Sequence, residues 1–174
     1  MEHNTHRHPR RFPVVGLRRF LIGLAAGALF ASLNPASANE IAVAPDVGLG
    51  QLPRLGSEWQ AANPYRGTAA AAEAQTLGRA AYNGACARCH GADASTNAAP
   101  APDLRNLDRS CRRIADAELK AWCQRDNDAY FIKSVRQGKV ILGITHMPPW
   151  EGVLKQELAW AIQVFIESRL SGTR

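Results

Sequence analysis

The chain is poor in the side chains that most metal and redox sites use. Its 174 residues include two methionines, four cysteines and five histidines. Met1, His3, His6 and His8 all fall at the extreme N-terminus, so only His90, His146 and Met147 remain for any chemistry further along. Convincing strand-type alternation is missing, with Val140–Ile144 the one short candidate, and there is no internal repeat; both absences disfavour a sheet-built or solenoid architecture. No apolar run reaches the roughly 20 residues of a membrane span. The run Phe20–Leu33 has 14.

The formal charge of +6 invites a nucleic-acid reading, but its distribution argues otherwise. Arg7, Arg10, Arg11, Arg18 and Arg19 precede the apolar run, and Ala36-Ser37-Ala38 follows it. A basic segment, an apolar segment and a small-residue site, in that order, form a secretory signal peptide, here 1–38 with cleavage expected after Ala38. A retained anchor is the alternative, disfavoured by the shortness of the run. Arg18-Arg19-Phe20-Leu21 resembles part of a twin-arginine signal, a route for folded cargo, and is read here as an ordinary export signal. Residues 39–174 then carry sixteen basic and fourteen acidic side chains, a charge of +2. The basic excess leaves with the leader, and with it the support for nucleic-acid binding. Export places the chain in the periplasm, where disulfides persist, with no stable membrane insertion of the mature part.

Residues 39–69 read as an irregular arm punctuated by Pro45, Pro53, Pro64 and several glycines. Trp59 and Tyr65 in it either cover the domain or meet a partner. The domain proper is expected over 70–174. A helix is expected from Ala70 to about Asn83, with Leu77, Ala81 and Tyr82 on one side and Gly78 as a flat spot for another helix. His90–Leu107 reads as a loop. A short helix over Asp116–Cys123 precedes a better one over Asp126–Gln137, capped by Asp126 or Asn127 and stopped by Gly138. Leu154, Leu158, Ala161, Ile162, Phe165, Ile166 and Leu170 give the clearest helical period, over Leu154–Leu170. The fold class is all-α.

Cys86-Ala87-Arg88-Cys89-His90 carries the chemistry. Cys-x-x-Cys-His is the attachment sequence of c-type haem. Two thiols three positions apart can each add to one vinyl group, and the next residue brings an imidazole to the iron. A thioredoxin-like pair would need a βαβ pattern that is missing. A zinc site using Cys86, Cys89, Cys111 and Cys123 would need a second close knuckle, whereas the latter two are 12 apart. Met147, in Thr145-His146-Met147-Pro148-Pro149-Trp150, is the expected second axial ligand; a thioether favours reduced iron, and the two prolines stiffen its backbone. His146 is the rival, giving a bis-histidine haem. The Pro102 carbonyl is the candidate acceptor for the second ring N–H of His90, with Pro100 the alternative, and Leu104 is expected on the haem edge. Cys111 and Cys123, left over in an exported chain, are expected to form a disulfide contributing about 3 kcal/mol by loop entropy.

With these residues in hand, the chain resembles class I cytochrome c over residues 70–170. The resemblance rests on Gly78 and Tyr82, Cys86–His90, Pro102-Asp103-Leu104, Met147, and Trp160 and Phe165. It implies a few helices around one covalent haem c, with Gly78 packing on the Trp160–Phe165 face. Ala81-Tyr82-Asn83, the Cys111/Cys123 insert, Tyr130-Phe131, Val135–Lys139 and Met147–Gly152 are more narrowly similar to cytochromes c-550 of quinoprotein systems. That similarity implies an electron carrier rather than an enzyme, with a pyrroloquinoline-quinone (PQQ)-dependent alcohol dehydrogenase as donor and an oxidase or another cytochrome as acceptor. Arg88, Arg136 and Lys139 are either docking residues or solvated surface. The alternative function is catalysis or gas sensing at a five-coordinate haem.

Overall fold

The computed structural model describes residues 41–95 and 101–169. The segment expected to be an export leader (1–38), Pro100 and Leu170 lie outside the described residues. Helix α1, Ala71–Ala85, forms from an alanine-rich stretch with Glu73 in its first turn, where the helix dipole favours a carboxylate. It runs directly into a one-turn helix α2, Ala87–His90. Two 3-10 turns, Ala92–Ala94 and Leu104–Asn106, lie in the segment expected to be a plain loop. A second one-turn helix, α3, spans Arg109–Arg112.

Helix α4 corrects one expectation. It runs unbroken from Ala117 to Gln137, where two helices were expected. Asp116 is its N-cap, accepting the Leu119 N–H at 2.8 Å, so Asp126 and Asn127 are interior residues and cap nothing. Neither proline nor glycine lies between Cys123 and Asp126 to stop propagation, and Asp128 is held inside by ion pairing.

Val140–Ile144 is not one strand. Strands β1, Lys139–Ile141, and β2, Ile144–Met147, pair antiparallel, and Leu142-Gly143 turns between them at positive φ. Helix α5 spans Gln156–Ser168, starting two residues after Leu154, because Lys155 is extended and serves as N-cap.

The core is the crossing of α1 and α5. Ala74, Gly78, Ala81 and Tyr82 face Leu158, Ala161, Ile162, Phe165 and Ile166. Gly78 permits the approach: a Cβ there would collide with the Ala161 carbonyl and lie 2.9 Å from the Ile162 nitrogen. One turn on, the Tyr82 and Phe165 rings meet tilted at 54°, centroids 5.4 Å apart, a favoured aromatic geometry.

Residues 41–69 lie against this core without regular structure. Leu52 and Tyr65 are buried, and the Tyr65 hydroxyl donates to the Pro53 carbonyl at 2.9 Å. Gln156 and Glu157, at the start of α5, bond the backbone of residues 55–60. Arg66 donates to both Asp128 of α4 and Glu167 of α5, tying three segments together. Tyr65 is therefore closed to a partner, and Trp59 is half-buried beneath the Arg136 guanidinium, 5.3 Å away. Among the described residues, no helix is long and apolar enough to cross a membrane.

Candidate haem site

Cys86 caps the C-terminus of α1 and opens α2, so the helical path continues through the motif. The Cys86 carbonyl accepts both the Cys89 N–H at 3.2 Å and the His90 N–H at 2.9 Å. This turn brings Cys86 and Cys89, neither of them in a disulfide, and His90 to adjacent positions. Gly91 leaves the helix at φ 87°, a conformation that side chains resist. Tyr82, fully buried, donates its hydroxyl toward the Gly91 and His90 carbonyls at 3.0 and 3.3 Å. Burial raises the Tyr82 pKa well above its usual value, so it remains a donor.

The His90 ring is oriented by the Pro102 carbonyl, 2.8 Å from Nδ1. As a donor through Nδ1, the imidazole presents Nε2 as its remaining nitrogen, the arrangement usual for a metal-bound histidine. The Ala101 N–H donates to the Cys89 carbonyl at 3.1 Å, anchoring this loop to the motif. After Gly91, Asp93 accepts from Arg79 at 2.6 and 2.8 Å and from Asn83 at 2.6 Å. The Arg79 bond, then the Asn83 bond, hold the Asp93 carboxyl far below the usual carboxylate range. This bracket fixes the backbone leaving the motif, where Asp93 and Ala94 both carry positive φ.

Met147 ends β2 and is secured from the other side. A Cβ on Gly138 would collide with the Met147 carbonyl, so only glycine lets the end of α4 approach this strand. The Trp150 N–H donates to the Val135 carbonyl at 2.9 Å, and Glu151 to Arg136 at 3.3 Å. Thr145 and Met147 share the partly buried face of β2, while Ile144 and His146 point outward. His146, the rival ligand, thus lies on the opposite face from Met147.

Cys86, Ala87, Leu104, Leu107 and Met147 pack against one core cluster yet remain partly exposed. An apolar lining left half-open, with two thiols, an oriented imidazole and a thioether, fits a covalently attached haem in donor chemistry and setting. Burial, then the neighbouring Cys89 charge, pushes the Cys86 thiol up to about 12. A redox-active dithiol needs the opposite shift. Cys111 and Cys123 are disulfide-bonded to each other, so they cannot complete a zinc site with the motif. Of the expected docking residues, Arg136 pairs with Glu151 at 2.5 Å and Lys139 sits 4.6 Å over the Tyr130 ring. Tyr82 and Gly138 are legible as a helix-face residue and a helix stop, but their hydrogen-bonding and close-approach roles, like the Arg79–Asp93–Asn83 bracket, carry no sequence signal because each depends on a neighbour brought close by the fold.

Comparison with known proteins agrees with this geometry. Residues 73–166 match the family model described as cytochrome c oxidase, cbb3-type, subunit III. The chain is 36% identical over 118 residues to a cytochrome c550 of Pseudomonas aeruginosa, covering 67% of this chain and 71% of that protein. No solved structure matches it. The chain therefore belongs to the cytochrome c family, whose members bind haem c covalently and carry electrons.

Proposed function

We propose that this protein is a periplasmic carrier of single electrons with one haem, attached through Cys86 and Cys89 and ligated by His90 and Met147. The reading extends to a PQQ-dependent alcohol dehydrogenase as donor and a terminal oxidase or another cytochrome as acceptor. It also includes a likeness to the PedF type of cytochrome c-550. The observation that carries it is an imidazole oriented by Pro102, together with a methionine whose backbone is held against α4 and whose side chain borders the half-open apolar lining.

The bound haem would supply a one-electron ferric–ferrous couple. The protein's own part is to hold both ligands still. Pro102 fixes the ring of His90, and Gly138, Pro148 and Pro149 fix the backbone of Met147. Held in this way, the two ligands would move little between oxidation states, keeping reorganisation small, and together they would leave a bound haem without an open position for a substrate. Leu104, in the 3-10 turn after Pro102, packs against the same core cluster and would limit water at the haem edge.

The test has two parts. The ferric protein should show the weak far-red sulfur-to-iron band, lost in Met147→Ala, and a pyridine haemochrome assay should give one haem per chain. Wild type that lacks the band and binds carbon monoxide readily would favour the five-coordinate alternative. Stopped-flow reduction by a purified quinoprotein alcohol dehydrogenase should outpace that of an unrelated cytochrome; equal rates would remove the proposed donor.

A further inference from the structure

The disulfide-bonded insert leads by hydrogen bonds to the peptide that orients His90. The carbonyl accepting His90 Nδ1–H belongs to the Pro102–Asp103 peptide. The Asp103 carboxylate accepts the Arg105 backbone N–H at 3.0 Å, Nε–H at 2.9 Å and Nη2–H at 2.7 Å. Arg105 Nη1 reaches the Ser95 carbonyl at 3.2 Å, bridging the loop. The Arg105 carbonyl accepts Arg112 Nη2–H at 3.2 Å. Arg112 pairs with Asp108 at 2.9 Å and donates to the Glu167 carbonyl of α5 at 3.3 Å. Arg112 follows Cys111, which is fully buried and joined to Cys123 of α4.

These charged groups are drawn inward: the side chains of Asp103, Arg105, Asp108 and Arg112 are only 14, 18, 9 and 26% exposed. Partly buried pairs of this kind are screened less by salt and water than exposed ones. The chain of bonds starts at α3 and α5 and ends at one peptide plane, whose carbonyl accepts the imidazole proton.

We infer that Asp103, Arg105 and Arg112 are positioning residues for His90, and that the Cys111–Cys123 disulfide anchors this chain of bonds to α4. The inference rests on the reading of His90 as an iron ligand. A histidine that donates its second N–H to a well-placed acceptor is more basic and stabilises the ferric state. Loosening the Pro102 carbonyl makes the ring a poorer donor, and the potential rises.

The test uses full-length holoprotein, with the midpoint potential and the exchange of the His90 Nδ1 proton by NMR as readouts. Asp103→Asn and Arg112→Ala should shift the redox equilibrium toward ferrous iron by about tenfold, if the ferric state alone loses the low end of the affinity that supporting contacts give a metal site. That equals about 59 mV for one electron. The ring proton should exchange faster, and the far-red band should stay. The double Cys111→Ser, Cys123→Ser variant should shift in the same direction. Arg112→Lys keeps one donor and should recover most of the wild-type potential; it also serves if the alanine variant does not fold. Lower thermal stability with unmoved potential and proton exchange would overturn the inference and leave the ligand reading intact. A shift accompanied by loss of the far-red band would assign it to Met147 and also overturn the inference. Wild type without histidine-ligated haem would overturn the ligand reading and the inference together.

Discussion

Replacing Arg66 by alanine should destabilise the fold more than any exposed ion pair could. The Arg66 guanidinium donates to Asp128 at 3.0 and 2.5 Å and to Glu167 at 2.9 and 2.6 Å. Asp128 is completely buried, and the Glu167 side chain is 13% exposed. Burial works against the Arg66 cation, but the bonds to Glu167 and then Asp128 more than offset it, and its pKa rises. Without Arg66, two carboxylates share a largely buried site, and among the described residues Asp128 keeps the Asn63 N–H at 3.0 Å and the Gln163 Nε2–H at 2.8 Å. Breaking a buried pair from one side costs about 3–5 kcal/mol. Arg66 is 23% exposed, so water can partly replace it, and about 3 kcal/mol is expected. Denaturant unfolding followed by circular dichroism would measure this. The decisive comparison is Arg66→Ala with and without Asp128→Asn. If the cost is a stranded charge, the double variant is more stable than Arg66→Ala alone. A double variant less stable than the single one would refute the reasoning.

Further expectations concern the helix crossing, the insert and the bracket after the haem motif. Gly78→Ala gains about 1 kcal/mol of helix propensity but sets a methyl against rigid α5 backbone. A net loss of about 1–3 kcal/mol is expected in thermal or denaturant unfolding. Joint replacement of Cys111 and Cys123 by serine should lower stability by about 3 kcal/mol, through loop entropy returned to the unfolded chain. Asp93 has a folded pKa below its unfolded value, so its contribution is present above the usual aspartate pKa of about 3.9 and is lost as pH falls. Asp93→Asn should therefore flatten the acid limb of the stability–pH profile, and an unchanged limb would show that the bracket does not couple to folding.

Residue order alone makes the haem-attachment motif and the helical class legible. Two thiols and an imidazole spaced for one porphyrin edge are a local pattern, and so is the three-and-four periodicity of Leu158–Ile166. Local patterns survive without knowledge of what packs against them. Gly78 was legible for the same reason, since a bare position in an otherwise good helix invites close approach. The break expected near Asp126 was wrong because polarity alone does not stop a helix; Asp128 faces inward, where Arg66 neutralises it. Position 66 lies in a stretch with no periodicity, so nothing local connects the two. The hairpin before Met147 was equally hidden, because a two-stranded ribbon this short is stabilised by the end of α4 rather than by alternation of its own. The Pro102 carbonyl is named from residue order and does face His90, but which glycine admits the methionine strand and how the insert reaches the ligand loop emerge only from the folded chain. Each depends on atoms far apart in sequence meeting within a hydrogen bond's length, and residue order does not encode that distance locally.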